Sequence, residues 1–148
     1  SIHLHKGNTA NSGGGIYTNA NQFNSLGSSV FEDNTAQNNG GAIYISGTHE
    51  ALNLVDATIT KNIAKLGGGV FLNGEHLGFN GNTFIMGNTS SVDGSANNLY
   101  LNNNKMFFFY NKVGGDTKIG VSVSEPHVFE EPLGIETAFR EEWYAHGD

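Results

Sequence analysis

Phe31-Glu32-Asp33-Asn34, followed by Gly40-Gly41-Ala42-Ile43-Tyr44-Ile45, is the stretch on which the reading of this chain turns. Its second half returns as Gly13-Gly14-Gly15-Ile16-Tyr17-Thr18, as Gly67-Gly68-Gly69-Val70-Phe71-Leu72, and as Ala96-Asn97-Asn98-Leu99-Tyr100-Leu101. The branched apolar residue falls at 16, 43, 70 and 99, in steps of 27, 27 and 29. Its first half returns around Asn8, Asn34, Asn62 and Asn88, in steps of 26, 28 and 26. Two separate anchors with one shared period make a repeat, and a period of this length belongs to solenoids and arrays.

Composition supports that reading. Of 148 residues, 21 are glycine and 20 asparagine, whereas only 2 are proline, which argues against a disordered linker. Glycine and asparagine tolerate the positive φ of tight corners. The hydrophobic share, 37%, is low for a domain built around one broad core. The net charge of −7 sits almost entirely after residue 124, where seven carboxylates face Arg140 alone. That distribution is unlike the basic footprint of a nucleic-acid binder. No apolar run approaches the ~20 residues that span a bilayer. Cysteine is absent, which excludes thiol chemistry and leans toward a bacterial surface protein. The chain opens within a repeat, as a mature fragment lacking upstream sequence would.

Each turn of residues 1–104 shows three short apolar segments between polar corners. Examples are Phe23 to Leu26, Val30-Phe31 and Ala42 to Ile45. Such segments read as strands with alternating faces. Ile43, Ile45, Val70 and Leu72 are expected inside, and Tyr44 and Phe71 outside. Hairpins would not restore one strand type at a fixed period, but a coil stacked in parallel on the next would, about 4.8 Å away. The expected fold is an all-β, right-handed parallel β-helix of about 27 residues per turn, given the usual hand of parallel crossovers. Four turns are expected over 1–104, with the last turn and an acidic cap over 105–148. Met106 to Tyr110 would help close that end. Ile135, Phe139 and Trp143 predict a short helix within 133–145.

The recurring residues then acquire roles. Asn8, Asn34, Asn62 and Asn88 would lie above one another at a single corner, their amides hydrogen-bonding along the axis. Gly14, Gly41 and Gly68 would mark a second corner, where a side chain would strike the neighbouring turn. Tyr17, Tyr44, Phe71 and Tyr100 would form one outward aromatic stripe, a candidate contact surface.

The pairing of F-x-x-N with G-G-A-[ILV] resembles the repeat of the chlamydial polymorphic outer membrane protein family. Phe31 to Asn34 and Gly40 to Ile43 match it fully. His5, Ile59 and Ile85 replace the Phe elsewhere, and Gly15, Gly69 and Asn98 replace the Ala. The fuller turn also resembles β-helical repeats of large surface proteins from gut Firmicutes. The resemblance, over residues 1–123, implies a surface location and brings no catalytic residues with it.

The residues do not favour an enzyme. A glycan lyase or hydrolase needs carboxylates close together, but Asp33, Asp56 and Asp93 take different places in their turns, and the repeats contain no arginine. His3 and His5 share one side of a strand without a third ligand, and no metal or cofactor is expected. Lys61 and Lys65 read as solvated. The expected function is therefore a non-enzymatic, extracellular β-helical segment of a larger cell-surface protein of the adhesin or scaffold type. Its partner would be a host or neighbouring-cell protein or glycan. A filament or coat subunit stacking through open ends is the structural rival, and a polysaccharide lyase or hydrolase the enzymatic one. Homo-association is expected through the N-terminal end, where Ile2, Leu4 and Ile16 border an uncapped edge.

Overall fold

Three parallel sheets run along the axis of a computed structural model that describes residues 2–18, 23–103 and 105–124. The expected helix within 133–145 and the acidic tail lie outside the described residues. The first sheet stacks β1 (His3–Lys6), β5 (Ser29–Glu32), β8 (Thr58–Thr60), β11 (Phe84–Ile85) and β15 (Lys118–Ile119). The second, shorter in strand length, stacks β2 (Thr9–Ala10), β6 (Thr35–Ala36), β9 (Ile63–Ala64) and β12 (Thr89–Ser90). The third stacks β3 (Ile16–Thr18), β7 (Ile43–Val55), β10 (Val70–Gly81), β13 (Leu99–Leu101) and β16 (Val121–Val123). Along their second halves, β4 (Phe23–Gly27) pairs with β7 and β14 (Phe107–Val113) pairs with β10. The named strands pair in parallel, so the chain is a β-solenoid of roughly 27 residues per coil.

The register aligns like with like. Ile16, Ile43, Val70, Leu99 and Val121 form one inward row. Ile45, Leu72 and Leu101 form the next, and Leu26, Leu54, Phe79 and Phe109 a third. His5, Phe31, Ile59, Ile85 and Ile119 form the row of the first sheet. Most of these side chains are completely buried, and each stabilises the coil by about 1.5–3 kcal/mol relative to exposure. Phe79, Phe107 and Phe109 add edge-on and tilted ring contacts toward the C-terminal end.

Two details depart from the sequence reading. The segments around Ile45 and Leu52 belong to one strand, β7, because the chain bends at Gly47, with φ near 110°, without leaving the sheet. β10 does the same, with a register shift between Gly74 and His76. The Thr-Ala pairs after the corner asparagines are strands in their own right, two residues long, too short for alternation to betray.

The glycine corner explains how closely the coils can approach. Gly13, Gly40 and Gly67 hold φ between 61° and 67°, where a side chain is strained. Gly14, Gly41 and Gly68 lie against the next coil's backbone. A Cβ on Gly41 would sit 2.7 Å from the Ile63 carbonyl oxygen and would overlap the Gly68 carbonyl. Gly41→Val should therefore cost more than about 4 kcal/mol. Tyr44→Ala, which removes one ring from an outer stack, should cost about 1–2 kcal/mol. Thermal melts of the two variants check this, and equal losses would contradict the assignment of these walls.

Candidate functional site

The corner between the first two sheets is built around side-chain amides. Asn34, Asn62 and Asn88 are fully buried. The amide nitrogen of Asn8 donates to Asn34 Oδ1 at 2.8 Å, that of Asn34 to Asn62 Oδ1 at 2.9 Å, and that of Asn62 to Asn88 Oδ1 at 2.9 Å. Each Oδ1 also accepts the backbone N–H of the preceding asparagine, at 2.9–3.0 Å. The second amide hydrogen points to carbonyls of the coil before, from Asn34 to His5 and from Asn62 to Phe31. An asparagine has both donors and an acceptor, which this corner uses together. Burial without loss of hydrogen bonds is what makes the arrangement stable.

The row has an ending that the sequence reading missed. Asn98, on the corner that holds Gly15, Ala42 and Gly69 in other coils, accepts at Oδ1 from both the backbone and side-chain nitrogens of Asn88, each at 2.9 Å. Residues 90–95 fold back as a tight turn, with Ser90 N donating to the Ser95 carbonyl and Gly94 N to that of Ser90. Thr89 then pairs with Ala96 in antiparallel sense, covering the outer edge of β12. Asp93 ties the turn by accepting from Ser95 Oγ and N, and the Ser95 hydroxyl, ahead of its N–H, holds the Asp93 carboxyl below its ordinary pKa. The final coil passes from β15 through Gly120 directly to β16 and adds no strand to the second sheet. Closure at this corner thus begins before residue 105. Its signals in the sequence were an asparagine pair in place of a glycine pair and the longer step of 29 to Leu99.

Outside the coil, Tyr17, Tyr44, Phe71 and Tyr100 stack as nearly parallel rings. Centroid spacings are 4.9, 5.4 and 5.3 Å, and interplanar angles 13°, 8° and 10°. They face away from the inward rows, but the expected exposure of Phe71 needs correcting. Its ring is sandwiched between Tyr44 and Tyr100 and only 5% exposed, whereas Tyr17 at the end of the row is 54% exposed. The ring faces are spent on one another. What the row offers outward is ring edges, phenol hydroxyls and the half-exposed ring of Tyr17.

The remaining candidates are dispersed. His5 is half-buried and lies flat on Phe31, with centroids 4.5 Å apart, so it forms the end of an inward row while His3 is exposed. The two share one side of the strand, but His5 is covered by Phe31 of the next coil whereas His3 lies over the small Ser29. Lys61 is paired, its Nζ lying 2.9 Å from Glu32, and Lys6 joins the same carboxylate at 3.1 Å and Asp33 at 3.5 Å. Asp56 accepts the Asn82 N–H at 2.8 Å on another corner. No group of three or more His, Asp or Glu side chains converges among the described residues.

Residues 28–46 match the family model of the Chlamydia polymorphic membrane protein repeat, a segment that holds Phe31, Asn34, Gly40, Gly41 and Ile43. The chain therefore carries a repeat similar to that family's, spanning one ladder asparagine and one glycine corner. No curated protein and no solved structure matches it.

Three outcomes follow from this geometry. Asn62→Ala leaves two donors and at least two acceptors unsatisfied in a buried corner, so it should cost well over about 3 kcal/mol in a denaturant titration. Asn62→Asp keeps the acceptor but sets a carboxylate against the Asn88 oxygen and the Phe31 carbonyl. Its folded pKa is raised, because only the protonated form can donate. Stability should then be full below about pH 3.9 and decline as pH rises through the folded value. Glu32 behaves oppositely in the native chain. Hydrogen bonds from Lys61 and then Lys6, with both ammonium charges, hold it below its ordinary pKa. Its small surface contribution should persist above about pH 4.3 and vanish as pH falls through the lower folded value, a dependence absent from Glu32→Gln.

Proposed function

We propose that this chain is a rigid, non-catalytic β-helical segment of a larger cell-surface protein, working outside the cell as an adhesive or spacing element. The observation that carries this reading is the combination of a membrane-protein repeat with an interior devoted to stacking. The inward rows bury apolar side chains against one another, and the amide corner uses its polar atoms on itself. What remains for a partner is the outer surface, repeated at the pitch of the coils.

Among the outer features, the ring row runs unbroken across four coils. It presents Tyr17, Tyr44 and Tyr100 hydroxyls in line, flanked by backbone that stacking holds rigid. Ordered phenols bind with little loss of side-chain entropy and accept or donate hydrogen bonds, which suits a glycan or a protein surface. The carboxylates Asp33, Asp56 and Asp93 each serve a local structural bond on a different part of the coil, which supports the non-catalytic reading.

The test is binding of the purified chain to panels of glycans and of host or neighbouring-cell surface proteins. Replacing Tyr17, Tyr44 and Tyr100 together by Phe removes the hydroxyls while keeping the stack. The expected result is at least about tenfold weaker binding to whichever panel member the parent retains, with the melting midpoint little changed. Binding that survives the replacement would reduce the row to a structural role. The same panel, assayed for unsaturated or hydrolysed product, should show no turnover.

A further inference from the structure

Beside the ring row runs a second outward row, and the two together set a chemical pattern along the axis. Ile45, Leu72 and Leu101 point inward, so the residues that follow them turn outward: Ser46, Asn73 and Asn102. Asn73 stands opposite Ser46 in the register. Asn102 joins them, its backbone N–H donating to the Leu72 carbonyl at 3.0 Å and its amide to Asn73 Oδ1 at 2.9 Å. All three are half-buried. Three successive coils therefore show the same pair across their outer face, a ring and, two residues on, a hydroxyl or an amide. The pairs are Tyr44 with Ser46, Phe71 with Asn73, and Tyr100 with Asn102. Neither row contains a charged side chain. On the far flank of the rings, Gly14, Gly41 and Gly68 raise no side chain.

The geometry limits what such a face can hold. Ring centroids recur at 4.9–5.4 Å, so a ligand gains from several coils only if it repeats at that step along the axis. An extended peptide advances about 3.3 Å per residue and falls out of phase. Inside the row the ring faces are turned to one another, so a single sugar finds no open platform there. One phenol hydroxyl and one amide make a weak site alone, and affinity has to come from several such sites spanned by one rigid ligand. Another stack of strands shares the step, but packed on this face it would strand phenol hydroxyls and amides away from water. A chain of β-1,4-linked pyranoses is extended, advances by about the same step per sugar and carries hydroxyls along both edges. Its successive sugars are turned over, so equivalent edges recur every second sugar. The hydroxyls of Tyr44 and Tyr100 stand two coils apart, with Phe71 between them.

Taking the ring row as a contact surface, as proposed, we infer that the double row binds an uncharged, linear, β-linked glycan lying parallel to the coil axis, one sugar over each coil. The hydroxyls of Tyr44 and Tyr100 bond one edge of the chain, and Ser46, Asn73 and Asn102 bond the other. On the Phe71 coil the ring is nearly covered and brings no hydroxyl, so Asn73 makes the contact there. The partner is thereby narrowed from any glycan or protein to one chain geometry.

Titration calorimetry of the full chain with β-1,4-linked glucose oligomers of two, four and six units tests this. The four-unit oligomer should bind at least about tenfold more tightly than the two-unit one. Six units should add little, because Ser122 stands in register after Tyr100 and no ring extends the row there. The α-1,4-linked oligomers carry the same hydroxyls on a curved chain and should show no gain with length. Asn73→Ala should weaken the four-unit oligomer at least about fivefold, with the melting midpoint little changed. Salt at about 1 M, where the Debye length is about 3 Å, should leave binding unaltered. Equal binding of the two series, no dependence on length, or no binding of the β-linked series would overturn the assignment. If the β-linked series fails while replacing Tyr17, Tyr44 and Tyr100 by Phe still abolishes binding to a surface protein, the glycan falls and the contact surface stands. Dimerisation abolished by the same replacement would give the face to a second copy and overturn the glycan assignment.

Discussion

Everything in this coil depends on a side-chain amide finding its counterpart one coil later. A buried asparagine is costly unless all of its hydrogen-bonding capacity is used. Here that demand can be met only when successive coils share a register at the corner. A shift of one residue would turn the amide outward and bring its neighbour inward. The polar row thus does what apolar packing alone does not. Hydrophobic rows of Ile, Val and Leu tolerate exchange and slippage, whereas an amide that misses its partner by one position leaves several buried groups unpaired.

The glycine corner sets the complementary limit. Hydrogen bonds of 2.8–2.9 Å between side-chain amides draw coils together at one corner, and the absence of side chains at Gly14, Gly41 and Gly68 lets backbone meet backbone at the next. With spacing fixed on the inside, the outer residues inherit it. Tyr17, Tyr44, Phe71 and Tyr100 stack about 5 Å apart because the coils beneath them do. Glu32 meets Lys6 and Lys61 for the same reason, since residues distant in sequence stand on adjacent strands.

Much of this was legible before any coordinates. The period, the parallel stacking and the row of asparagines follow from where Asn8, Asn34, Asn62 and Asn88 fall. The extent of the strands did not follow. Two-residue strands such as Thr35–Ala36 are too short to alternate, and the bends at Gly47 and near Gly74 look like strand ends in a pattern that cannot see hydrogen bonds. The ion triad around Glu32 needs the register before Lys6 and Lys61 can be placed on either side of it. The inward turn of His5 was recoverable, because it occupies the Phe position of the repeat. Asn98 was visible as a departure from glycine, but its role depends on reaching an interior site that only the folded coil defines.

The turn at residues 90–95 and the Asn98 amide act as punctuation. A filament that adds subunits at both ends has a length set by concentration. An amide row that ends on Asn98, within its own covalent sequence, has a length written in the gene. Each inserted repeat would move the outer end by about 4.8 Å and no more, and each deletion would retract it by the same step. The repeat count would then work as a ruler along the axis, setting how far one end of the coil stands from the other. Selection could adjust that distance in whole steps without redesigning a single contact.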